Sequence, residues 1–175
     1  MSKTQLKKEL AKMTASQIGE LILDLYDARP EAKEYLDFFI KPDIDSKLNK
    51  AKSLIKKEVG RTSRGRSKMR STKLRRLIKD ISSLNPGSDA VCEIMTYTIE
   101  TACAIGSDQW IKETTQRALA KLLQDTIREA DNGGMLPTYL PRIETAIKEM
   151  KSTFYRPNPF KSLLKETLTD TIQNL

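Results

Sequence analysis

The chain has 175 residues, 38% of them hydrophobic, which suits one ordinary core and a single helical domain over 1–175. It contains no histidine, so imidazole nucleophile pairs, HExxH zinc sites and a side chain titrating near neutrality are excluded. The formal net charge of +8 is the sum of 31 basic and 23 acidic residues, and its distribution matters more than its size.

Taken in chain order, the periodicity is helical almost throughout. Ser2 is placed to cap a short helix carrying Leu6, Leu10 and Met13. Thr14 and Gln17 have capping-box spacing and open Ala15–Ala28, where Ile18, Leu21, Ile22, Leu25 and Tyr26 recur on one face, expected to look inward. Pro30 starts PEAKEYLDFFI, whose Tyr35, Leu36, Phe38, Phe39 and Ile40 are expected to form an N-terminal core. After Pro42, a long amphipathic helix aligns Ile44, Leu48, Ala51, Leu54, Ile55 and Val59, with Gly60 expected as a left-handed cap.

The next stretch, GRTSRGRSKMRSTKLRR, is the one strong charge anomaly. Between Arg61 and Lys79 lie nine basic residues (Arg61, Arg64, Arg66, Lys68, Arg70, Lys73, Arg75, Arg76 and Lys79) and no acid. Without them the chain has 22 basic against 23 acidic residues, so this stretch creates the whole excess. Residues 61–72 lack apolar periodicity and are expected to be a mobile segment between the N-terminal and C-terminal helical halves. From Ser71, the expected cap, leucines and isoleucines occupy an arc of about 120° while Arg75, Arg76 and Lys79 project from the far side. The spacing from Gly60 to Ser67 is close to a phosphate-binding P-loop, but Arg66 replaces lysine and a helix precedes it instead of a strand.

Beyond it the helix with Leu74, Ile78 and Ile81 ends at Asn85-Pro86-Gly87, and another from Ser88 to Gly106 carries Cys92 and Cys103. Eleven residues along one helix put these thiols roughly 16 Å apart, too far to pair with each other. A helix from Ser107 to about Ala130 follows, with Trp110 expected as a core anchor, then the loop Asp131 to Gly134. Leu140, Ile143, Ile147, Met150 and Phe154 form the next stripe, and Pro157-Asn158-Pro159 turns into a last helix. The expected fold is all-α, about nine helices in an antiparallel bundle or a short stack of helix pairs.

The pattern LKKEL, GELILDLYD and KEYLDFF, followed by a lysine-rich helix and a basic segment, resembles a family of small uncharacterised bacterial proteins catalogued as a domain of unknown function. The resemblance is best over residues 2 to about 84 and implies a shared helical fold and a bacterial cytosolic origin, with no catalytic residue.

The functional expectation is a non-catalytic, cytoplasmic binding protein without metal or cofactor, whose nine basic residues contact nucleic-acid phosphates without sequence readout. No aromatic residue interleaves with the arginines, so base stacking on this segment is not expected. The alternative is a helical adaptor docking a protein partner, with the basic stretch as a linker or the contact for an acidic protein. A third reading is a carboxylate-dependent hydrolase, with no catalytic residue assigned; Glu20, Asp24 and Asp27 on one side of the second helix, and Asp125 with Glu129, lack the histidine partners of a di-metal carboxylate site and are expected to be solvated helix faces. A membrane surface is not expected, because Met69 alone is available to insert.

Overall fold

The computed structural model describes residues 2–62, 65 and 67–175. Nine α-helices and no β-strand occur among them, the all-α fold read from the sequence. They are α1 (Lys3–Leu10), α2 (Ala15–Ala28), α3 (Pro30–Ile40), α4 (Ile44–Val59), α5 (Ser71–Ser82), α6 (Ser88–Gly106), α7 (Glu113–Asn132), α8 (Leu136–Glu149) and α9 (Pro159–Gln173). The chain forms two compact units, 1–43 and 44–175, dividing before α4.

In the first unit both expected capping boxes are made: Ser2 with Gln5, and Thr14 with Gln17. The α2 and α3 helices pack on each other, tied by Tyr26 donating to Asp37 at 2.9 Å. The expected N-terminal core is absent, since no residue of α1, α2 or α3 is buried. Leu23, Phe39 and Ile40 are 65, 73 and 78% exposed. Three short helices have too little volume for their surface to enclose a side chain completely.

The second unit is built around α6, which packs against α4, α5, α7, α8 and α9. Small or apolar residues over most of its circumference explain this position: Cys92, Ile94, Thr96, Thr98, Ala102 and Cys103 are all essentially inaccessible. Thr98 avoids an orphaned hydroxyl by donating to the Ile94 carbonyl at 2.7 Å. Around it lie Ile55 and Val59 of α4, Leu74 and Ile81 of α5, Leu123 and Ile127 of α7, Ile143 and Ile147 of α8, and Leu164 of α9. Both thiols are free and buried, and burial pushes Cys92 up to about 11 and Cys103 up to about 12.

A charged cluster links three of these helices. Arg142 of α8 donates through Nε and Nη2 to Glu100 at 2.9 and 3.0 Å and through Nη1 to Glu93, while Lys52 of α4 reaches Glu93 at 2.6 Å. Burial pushes the Glu93 carboxyl up, but the hydrogen bonds from Arg142 and Lys52 outweigh it and hold the group below its usual range. Two cations against two anions make this a neutral fastening between helices.

Several local expectations are corrected. Gly60 does not take a left-handed φ; its Cα instead lies so close to the Lys56 carbonyl that a Cβ would sit 2.8 Å from that oxygen. Arg70, not Ser71, is the N-cap of α5. The helix expected from Ser107 begins only at Glu113, and in the intervening turn Ile111 points inward while Trp110 is 77% exposed. Phe154 is 93% exposed, because α8 has already ended at Glu149 with Met150 as its last buried side chain.

Candidate functional site

The basic stretch leaves α4 and enters α5, and three contacts fasten it to the second unit. Glu58, on the last turn of α4, is buried with its side chain 3% exposed. Arg70 grips it with both arms of the guanidinium, Nε to Oε1 at 2.7 Å and Nη2 to Oε2 at 2.8 Å, and adds its backbone N–H at 3.2 Å. Lys73 approaches from the first turn of α5 at 3.3 Å. These bonds, the Arg70 side chain first, hold the Glu58 carboxyl down at about 2 against the opposing effect of burial.

Met69 supplies the second contact. Its side chain is 3% exposed and joins the main core, its N–H donates to the Glu58 carbonyl at 3.1 Å, and its φ of 36° is in the left-handed region that methionine seldom adopts. Packing and hydrogen bonds offset that strain. Third, Ser67 donates its hydroxyl to the Val59 carbonyl and its N–H to Gln109 Oε1 at 3.0 Å. An isolated antiparallel bridge pairs Arg61 with Ser67, and Gly65, at φ 75°, donates to the Thr62 carbonyl at 2.8 Å.

Within the segment expected at 61–72 to be mobile, residues 67–72 are thus docked or helical. Of the nine predicted phosphate ligands, Arg64 and Arg66 lie outside the described residues, as does Ser63. Arg70 and Lys73 are engaged on Glu58, and Arg61 lies near enough to Asp108 to help hold that carboxyl down, after Lys151. Lys68, Arg75, Arg76 and Lys79 are exposed and have no ion pair among the described residues. On α5, Arg75 and Lys79 are i, i+4 neighbours and Arg76 and Lys79 are i, i+3 neighbours, so the three ammonium and guanidinium groups share one outer face.

The fold also brings residues to this stretch that the sequence reading did not connect with it. A cavity of about 670 Å³ is lined by Ser67–Thr72 on one side and by Ile105, Gln109–Lys112 and Thr115 on the other. Trp110 and Lys112 thus stand opposite Lys68 and Arg70, although about 40 residues separate them along the chain. Only an unexpected exposure of the sole tryptophan could have signalled this, and exposure is a tertiary property.

No group of three or more His, Cys, Asp or Glu side chains placed to hold a metal ion occurs among the described residues. Glu20, Asp24 and Asp27 are exposed on α2, and Asp125 pairs with Lys121 at 2.9 Å. No helix among the described residues is long and apolar enough to cross a membrane.

Fold and site together define a small all-helical protein with a docked basic segment. The sequence pattern of the family of unknown function DUF6155 matches residues 1–166, and the chain belongs to that family. The match runs past the N-terminal half that carried the resemblance and ends within α9. No curated protein and no solved structure matches the chain.

Proposed function

We propose that the protein is a non-catalytic nucleic-acid-binding protein that contacts phosphates through its basic segment and the outer face of α5, without reading sequence. What supports this most is one observation: Lys68, Arg75, Arg76 and Lys79 stand exposed and without ion pairs among the described residues, within a stretch that has no acid from Arg61 to Lys79. A solvated surface normally mixes both signs, and unpaired cations in a row suit a polyanion that releases counterions on binding. Arg61, Arg64 and Arg66 belong to the same basic stretch of sequence, whereas Arg70 and Lys73 serve first to fasten the segment.

A titration of duplex and single-stranded DNA at low salt tests the reading. The unmodified protein binds, and Arg75→Ser, Arg76→Ser, Lys79→Ser in combination weakens binding severalfold or more with the helical content unchanged. Equal binding by the combined variant, or none by either protein, removes the proposal.

A second reading, a helical adaptor for a protein partner, draws on the exposed apolar side chains of α2 and α3. Replacing Leu23, Phe39 and Ile40 by serine separates the two: nucleic-acid affinity is retained if the basic segment is the working surface.

A further inference from the structure

We propose that the surface running from Ser67–Thr72 across Trp110 to Lys151–Arg156 is a track for single-stranded nucleic acid, with Trp110 as the platform on which an unpaired base stacks. The proposal rests on the phosphate-binding reading above and goes further by specifying the form of nucleic acid.

Trp110 carries the argument. Burying an indole normally removes some 150–250 Å² of largely apolar surface from water, yet the sole tryptophan of this chain is 77% exposed. No ring or cation packs on it among the described residues. It also stands at a particular place. Gln109, Trp110 and Ile111 line both the 670 Å³ cavity and a second one of about 650 Å³, so the indole occupies the ridge between two adjoining hollows.

The cations lie on both sides of that ridge. Lys68, Arg70 and Lys112 line the first hollow, and Lys151 and Arg156 line the second. The acid in the second hollow, Asp108, is already neutralised by Lys151 at 2.7 Å. Thr153 and Arg156 exchange backbone hydrogen bonds at 3.1 and 3.2 Å, closing a tight turn whose tip carries Phe154 and Tyr155, 93 and 91% exposed and packed edge to face. The Gln109 Oε1 accepts from the Ser67 N–H, but its Nε2 is buried without a partner among the described residues, so a polar atom is left unsatisfied beside both hollows.

An exposed aromatic flanked by cations on two sides fits a chain of alternating π-faces and phosphates. In a duplex the bases are stacked on one another and shielded from the indole, whereas an unpaired strand offers them. An apolar peptide would also cover Trp110, but it would leave Lys68, Lys112 and Arg156, which have no ion pair among the described residues, facing nothing of opposite charge, whereas Arg70 and Lys151 are already engaged on Glu58 and Asp108.

Because Trp110 is the one tryptophan, intrinsic fluorescence reports on this site alone. A dye-labelled oligothymidylate of about 12 nucleotides, and a labelled duplex of equal length, are titrated against the full-length protein, Trp110→Ala and Trp110→Phe, with tryptophan fluorescence read on the unmodified protein and anisotropy of the label giving the affinity of all three. The proposal expects quenching by the single strand and little by the duplex. Trp110→Ala loses about tenfold or more in single-strand affinity, Trp110→Phe loses less, and duplex affinity is unchanged within about twofold. Circular dichroism confirms folding of both variants, which replace an exposed side chain. If single strands bind without quenching, and Trp110→Ala binds them as tightly as the unmodified protein, the stacking platform is wrong while the phosphate reading stands. If neither form of DNA binds, both readings fall.

Discussion

Glu58 is the residue on which the basic segment depends. Its carboxyl, taken from an ordinary 4.5 to about 2, holds about 3 kcal/mol of folding stability at neutral pH. The folded-state value is the depressed one, so this contribution is complete above about pH 4.5 and is lost as the pH falls towards 2. Chemical denaturation from pH 6 to 2 therefore shows a steeper loss for the unmodified protein than for Glu58→Gln, by about 3 kcal/mol over that window. At pH 7, Arg70→Ala destabilises the fold by about 2–3 kcal/mol, because Lys73 alone then faces a buried carboxylate. An arginine that composition alone assigns to phosphate binding thus acts first in holding the structure. None of this is visible in the sequence, where Glu58 is one acid on a lysine-rich helix and its partner comes 12 residues later.

Helices were legible because their determinants are local. Ala15–Ala28, Pro30–Ile40 and Ile44–Val59 follow from caps, prolines and 3.6-residue periodicity, and the structure places those helices at the same residues. What periodicity cannot tell is which neighbour covers a stripe. Hence α2 and α3 were expected to bury faces they leave exposed, and the stripe ending at Phe154 ran past the true end of α8. Close helix contacts are equally invisible in a sequence. The end of α7 meets the start of α6 at Gly133, where a Cβ would lie 2.6 Å from the Ser88 Cβ. Ser88 cannot rotate that atom away, so Gly133→Ala has to push α7 and α6 apart. Thermal or urea denaturation should register a loss of about 1–3 kcal/mol.

At the scale of the whole molecule, every fully buried side chain among the described residues belongs to 44–175. A fragment starting at Ile44 is therefore expected to fold cooperatively and to keep its nucleic-acid affinity within about twofold. Non-cooperative unfolding of that fragment would show that residues 1–43 complete its core. The candidate site was half legible: the charge imbalance identifies the segment, but the pairing of Arg70 and the approach of Trp110 arise only when α4, α5 and the turn before α7 come together. The central claim is that the exposed cations of this segment neutralise phosphates, and the salt dependence of DNA affinity measures that number directly. With about five or six phosphates contacted, a log–log plot for duplex DNA has a slope of about −4.5 to −5.5, and removing Arg75, Arg76 and Lys79 together makes it shallower by about 2 to 3. A slope near zero, or one unchanged by that triple replacement, would contradict the account.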